Sequence, residues 1–234
     1  MTELAANPKR RSRAGGGAVP ASIVSDADLA AHISALTGTH PHFRELLSLA
    51  GAVPLRRIDP GFRGLFWIVT GQQISAAAGK AIFTRAETAL GTLSPERLAE
   101  AEDALLRAAG LSAPKIRTLR AVSAAMLAGA LDLDGLLALE AADAVAHLST
   151  VKGLGRWTAE VYLLFALGHP DIFPAGDLAL QEGVRMAFEL VERPKEKDVL
   201  ARAEAWRPHR SAAARLIWAY YGVVKRGGGN AAPA

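Results

Sequence analysis

Leu148-Ser149-Thr150-Val151-Lys152-Gly153-Leu154-Gly155-Arg156-Trp157-Thr158-Ala159-Glu160 is the stretch on which the reading of this 234-residue chain turns. Helical periodicity runs up to it, the Gly-x-Gly of Gly153-Leu154-Gly155 breaks it, and a new helix starts at once at Arg156. Glycine permits the positive φ of a tight turn and lets backbone approach a ligand closely. A helix that begins immediately after such a turn points its unpaired N–H groups and positive dipole end outward. Val151, Lys152, Gly153, Leu154, Gly155 and Arg156 therefore suit gripping one nucleic-acid phosphate without reading sequence. Carbonyls on the other side of the turn suit a monovalent cation shared with that phosphate, and Lys152 and Arg156 add charge. An ordinary helix–helix connection uses glycines too; the full length of the run favours phosphate binding.

Outward from the hairpin, 3.6-residue periodicity covers nearly everything, and no internal repeat is visible. Ala, Leu and Arg are abundant, with little β-branched clustering, which predicts an all-α protein. Upstream, Ser25 caps a helix to about Thr37, His40-Pro41 opens another to about Ala50, and Gly51–Gly61 is a loop. A long apolar segment runs from Phe62 to about Leu90. Ser94-Pro95-Glu96 then starts a short helix with proline at its first position. Further helices are expected at about 101–109, 113–128, 134–138 and 140–147. Downstream, a helix from Arg156 to Leu167 leads through a loop with Pro170 and Pro174 to helices at about 177–190, 195–205 and 209–226. Residues 1–21 and 227–234, rich in Arg, Gly, Pro and Ala, read as disordered tails.

Composition excludes several function classes. With no cysteine, there is no disulfide, no Cys-based zinc site and no cysteine-ligated iron–sulfur cluster. No apolar stretch reaches the roughly 18 residues of a membrane span, and no apolar core follows the N-terminal basic residues as in a signal peptide. A cytoplasmic protein is expected. Net charge is +4, but Lys9, Arg10, Arg11 and Arg13 against Glu3 leave only +1 for the last 214 residues. Global charge thus carries no nucleic-acid argument, and the basic tail reads either as a solvated arm or as a DNA contact. His40 and His42 flank a proline without a third ligand, too little for a metal site.

The hairpin run resembles that of the helix–hairpin–helix DNA glycosylase superfamily, in which a Gly/Pro-rich loop and an invariant Asp follow. Here the loop is Asp171-Ile172-Phe173-Pro174-Ala175-Gly176 and the Asp is Asp177. The alkylbase branch, that of 3-methyladenine DNA glycosylase II, is the nearer match. Thr70-Gly71-Gln72-Gln73-Ile74-Ser75, Lys115-Ile116-Arg117 and Trp206-Arg207-Pro208-His209-Arg210-Ser211 agree with it, and the resemblance covers about residues 60–222. It implies an all-α, two-lobed helical bundle with a cleft between lobes. A central lobe would span about 60–167, and a second lobe would combine 22–59 with 168–226. The β-rich N-terminal domain of larger bacterial relatives has no counterpart in residues 1–60. The partner is damaged double-stranded DNA, a monomer is expected, and the expected location is the nucleoid. No cofactor and no catalytic metal are implied.

Cleaving a base from deoxyribose passes through an oxocarbenium-like sugar, which a nearby carboxylate stabilises. An alkylated purine is already cationic, so it leaves without a general acid. Asp177 is suited to this role. It also reads as a helix N-cap, although Leu180 stands where a capping box would have Glu or Gln. Its distance of 22 residues from Gly155 favours catalysis, and one residue can do both.

Strand-nicking superfamily members carry Lys where this chain has Trp157, so the resemblance implies a monofunctional hydrolase. Trp157 reads either as a stacking surface for a flipped base or as a core residue. Trp218 matches the family's base-stacking aromatic. A further pocket aromatic of the family falls in register with Val161, one residue from Tyr162, which is the candidate for that wall. Gln72 matches a residue that approaches the lesion or the opposite strand. Gln73 stands where a relative uses an apolar wedge to fill the gap left by the flipped base; Gln73, Ile74 or neither fills it here. Arg207 and Arg210 are the favoured phosphate contacts near the last helix. Two other readings remain: a glycosylase for deaminated or oxidised bases, and a DNA-binding module without catalysis.

Overall fold

A computed structural model describes residue 19 and residues 21–227. The expected tails, 1–21 and 227–234, fall almost entirely outside the described residues. Among the described residues there are twelve α-helices and no strand. They are α1 (Asp26–Thr39), α2 (His42–Ala50), α3 (Gly61–Gly71), α4 (Ala76–Leu90), α5 (Pro95–Glu100) and α6 (Asp103–Ala108). Then come α7 (Ala113–Leu127), α8 (Ala141–Ser149), α9 (Arg156–Tyr162), α10 (Leu178–Ala187), α11 (Glu196–Ala203) and α12 (Arg210–Gly227).

Local chemistry explains most of these boundaries. Ser25 and Asp28 form a reciprocal capping box at α1, and Ser94 caps α5 with Pro95 at its first position. The apolar run 62–90 forms two helices. Gln73 adopts φ +58°, and the Ser75 side chain accepts from the Ala78 N–H, so α3 stops and α4 starts afresh. The hairpin helix changes character after Tyr162: Leu163–Leu167 forms a π turn ended by Gly168 at φ +73°. π turns inside helices concentrate at functional sites. Residues 134–138 tighten to a 3₁₀ turn (Gly135–Ala138), and 195–205 ends in another (Glu204–Trp206).

α3 is the central helix. Phe62, Leu65, Phe66, Ile68 and Val69 are buried, against α4, α7 and α9. Each such side chain contributes roughly 1.5–3 kcal/mol by leaving water. α12 plays the same part against α1, α2 and α10. One continuous apolar core joins the two groups through Tyr162, Leu163, Leu164, Leu180, Leu216 and Ile217. Its consequence for function is that α9, the start of α10, the C-terminal half of α12 and the loop before α3 meet around one cavity.

Candidate active site

α8 ends at Ser149 and the chain turns through Val151–Gly155 into α9. Gly153 has φ +95°, and a Cβ there would lie 2.9 Å from the Thr118 Cβ, so only glycine fits this close approach to α7. Val151 and Leu154 are buried at 7% and 2% exposure and anchor the turn in the core. Their side chains are therefore not available to DNA, whereas Lys152, Gly153, Gly155 and Arg156 lie on the exposed face. The first helical bond of α9 runs from the Ala159 N–H to the Gly155 carbonyl, 3.1 Å, which leaves the preceding tip amides outside the ladder. Arg156 does not project freely. Its Nε donates to Glu160 Oε1 at 2.8 Å, with Glu196 3.8 Å away. Burial raises the Glu160 carboxyl to about 7 despite that partner.

Asp177 sits at the head of α10, half-buried, and does cap the helix: its Oδ1 accepts from the Leu180 N–H at 2.9 Å. Two indoles hold the same carboxylate. Trp218 Nε1 donates to Oδ1 at 3.2 Å and Trp157 Nε1 donates to Oδ2 at 3.1 Å. The loop in front of it is fixed by its own bonds, since the Asp177 N–H reaches the Pro174 carbonyl at 2.9 Å and Gln181 Nε2 reaches the Ala175 carbonyl at 2.9 Å. Asp177, Trp157 and Trp218 share the wall of a cavity of about 620 Å³. Trp218 is stacked on Phe165, with ring centroids 5.5 Å apart and planes 29° apart.

Several expectations need correction. Tyr162 is fully buried in the core and does not line the cavity; its hydroxyl accepts from the Gly61 N–H at 2.9 Å, and burial pushes it up to about 12. Along a helix, adjacent residues are about 100° apart, so Val161 lines the cavity while Tyr162 turns inward. Phe165, four residues on, supplies the aromatic wall. Its only signal in the sequence is its place in an apolar run that ends at Gly168.

Gln72 is not in the cavity wall. Its Nε2 donates to Thr158 Oγ1 at 2.7 Å, tying the α3–α4 turn to the hairpin helix. Gln73 and Ile74 stand exposed at that turn, which Lys115 steadies by donating to the Thr70 carbonyl at 2.7 Å. Arg210 is not presented to solvent as a phosphate contact requires: its side chain is 8% exposed and bonded to Asp171, to the Asp171 carbonyl and to Glu204. Removing a guanidinium from such neighbours would strand buried charge. Arg207 is half-exposed but lies between Glu204 (2.9 Å) and Asp171 (3.5 Å). Both arginines brace the loop leading to Asp177. Among the described residues, no group of His, Cys, Asp or Glu side chains is placed to hold a metal, and no helix is long and apolar enough to cross a membrane.

Comparison with known proteins gives the same picture. DNA-3-methyladenine glycosylase 1 of Schizosaccharomyces pombe is 30% identical over 190 residues, covering 78% of this chain and 83% of the relative. The solved structure of that organism's 3-methyladenine DNA glycosylase (Mag1), in complex with abasic DNA, superposes with a TM-score of 0.71 at 30% identity, covering 80% of this chain and 94% of the other. A DNA-3-methyladenine glycosidase from Bacillus halodurans superposes with a TM-score of 0.76 at 29% identity, covering 88% and 93%. Residues 66–208 match the model of the HhH-GPD superfamily base excision DNA repair proteins, and with the hairpin, the Pro/Gly loop and Asp177 all inside that span, the chain belongs to this family.

Proposed function

We propose that this chain is a monofunctional DNA glycosylase that hydrolyses the N-glycosidic bond of alkylated purines, 3-methyladenine and 7-methylguanine, in duplex DNA. The observation that carries the reading is Asp177, a carboxylate held by two indole N–H groups on the wall of an aromatic cavity. In this reading the hairpin grips a phosphate through its tip amides and the flipped base enters the cavity. Trp157 and Trp218 offer their π faces to it, which suits an electron-poor cationic base.

As the bond to the base lengthens, positive charge develops on the sugar beside Asp177. A carboxylate about 4 Å from that charge, at an effective dielectric near 20, lowers the barrier by about 4 kcal/mol, or roughly 10³-fold. The same carboxylate orients the attacking water. The base departs with its electron pair and is already neutralised by doing so, so no acid is required. No lysine stands at position 157, so no Schiff base forms there.

We further infer a monomer working on damaged DNA at the nucleoid, lobes divided as 60–167 and 22–59 plus 168–226, and a monovalent cation bridging the hairpin carbonyls to the phosphate. The test of the reaction is product analysis on methylated duplex DNA. Free methylated base should appear, the strand should remain unbroken until treated with alkali, and borohydride should trap no protein–DNA adduct. Absence of free base would refute the proposal, and a trapped adduct would refute the hydrolytic route.

A further inference from the structure

Arg56 lies in the loop between α2 and α3 and lines the same cavity as Asp177, Trp157 and Trp218. Its backbone has φ +44°, a conformation that non-glycine residues rarely adopt. Such strain persists where the surroundings over-determine it, and it clusters at functional sites. Here the surroundings are Arg215, which is 3% exposed. Arg215 Nη1 donates to the Arg56 carbonyl at 3.2 Å, and its Nη2 donates to the Leu164 carbonyl of the π turn at 3.0 Å. The Arg215 guanidinium also lies 4.8 Å from the centroid of Phe165, the ring on which Trp218 stacks. One buried residue thus fixes the Arg56 backbone to the aromatic wall of the cavity.

Arg56 itself is exposed at the rim of that wall. It shares a second, smaller hollow with Arg215, Phe165 and Trp218. Burial, then the charges of Arg57 and Arg56, pull the Arg215 guanidinium down to about 10, as a neighbouring cation requires. Among the described residues, the Arg56 guanidinium has neither ion pair nor hydrogen bond. The cavity's other cation, Arg226, is folded over its own helix, with Nη1 3.5 Å from where a Cβ on Gly222 would be. Asp177 is the one carboxylate in the described wall.

A guanidinium offers only donors. At position 6, a guanine-type or hypoxanthine base offers a carbonyl oxygen, an acceptor. 3-Methyladenine offers an amino group there, a donor that also shares the positive charge of the alkylated ring. We propose that Arg56 is a specificity-determining residue of the base cavity, donating to the 6-keto oxygen of N7-alkylguanine or hypoxanthine and disfavouring the 6-amino edge of 3-methyladenine. The proposal rests on the cavity being the base pocket.

Dimethyl sulfate-treated duplex DNA contains both methylated bases, so one reaction gives both release rates, and a hypoxanthine oligonucleotide supplies the third. With R56A, the rate ratio of 7-methylguanine to 3-methyladenine should fall by about tenfold, the lower end of what an arginine–base contact discriminates. Hypoxanthine release should fall in parallel. R56Q, which keeps N–H donors without the charge, should retain part of the preference. An unchanged ratio in R56A would overturn the assignment. Equal losses for both bases with a shallower salt dependence would also overturn it, making Arg56 a phosphate contact. If the wild type releases neither base, the base-pocket reading itself fails and takes this assignment with it.

Discussion

Replacing Trp157 with phenylalanine separates two things an indole can do at this site. Phenylalanine keeps an aromatic face for the base but removes the Nε1–H that reaches Asp177 Oδ2 at 3.1 Å. The two carboxylate oxygens are not equally supported. Oδ1 accepts from both the Leu180 N–H and the Trp218 indole, whereas Trp157 is the protein donor to Oδ2 among the described residues. Without it, Oδ2 is free to rotate and take water, so the carboxylate must be reoriented each time charge develops on the sugar.

A hydrogen bond to a charged group is worth about 1.5–3 kcal/mol when enclosed. Trp157 is 37% exposed, so about 1–1.4 kcal/mol is the appropriate expectation, which is roughly a 5–10-fold loss in rate. The loss should appear in the single-turnover rate on methylated duplex DNA, with DNA affinity nearly unchanged. The parallel W218F variant should lose less through hydrogen bonding, because the Leu180 N–H still holds Oδ1. The reasoning is refuted if W157F cleaves at the wild-type rate, or if its whole defect lies in DNA affinity.

Other consequences follow from the same geometry. R210M leaves the mostly buried Asp171 without its main partner, so it should lower stability by about 3 kcal/mol, or roughly 6–12 °C in Tm. The salt dependence of DNA binding by R210M should match wild type, and a shallower slope would restore Arg210 as a phosphate contact. Glu160, buried and raised to about 7, ionises more readily in the unfolded chain than in the folded one. Stability should therefore fall as pH rises from about 4.5 to about 7 and level off above, and E160Q should flatten that part of a melting-versus-pH profile. G153A forces a Cβ against Thr118 at positive φ, so melting temperature and duplex affinity should fall together, measured by thermal denaturation and fluorescence anisotropy. Unchanged affinity there would detach the hairpin from DNA binding.

Much of the fold was legible because its signals are local. Ser25, Ser94-Pro95 and the glycines of the hairpin act on the residues beside them, and the helical period needs only a window of the chain. The break after Gly71 was legible through the family match at Gly71-Gln72-Gln73 rather than through local chemistry, since it depends on Gln73 adopting φ +58°. In the candidate site, Asp177 was singled out by the motif and its spacing and Trp218 by the family resemblance, while Trp157 was left open between a stacking surface and a core residue; the structure brings the three side chains together. The burial of Arg210 was not legible because Asp171, its main partner, is 39 residues upstream in the chain. Tyr162 fell one position from the true wall, where a single residue rotates a side chain from cavity to core. Phe165 and Arg56 enter the cavity from a π turn and a loop, and neither has a periodic pattern that announces which way it faces.

The central claim is that Asp177 is the catalytic carboxylate, and D177N tests it most directly. Asparagine is as good an N-cap as aspartate, so α10 should remain in place while the charge is lost. Single-turnover release of methylated base from duplex DNA should fall roughly 10³-fold, with affinity for an abasic-site duplex retained. Release by D177N within about threefold of wild type, at equal DNA affinity, would contradict the account.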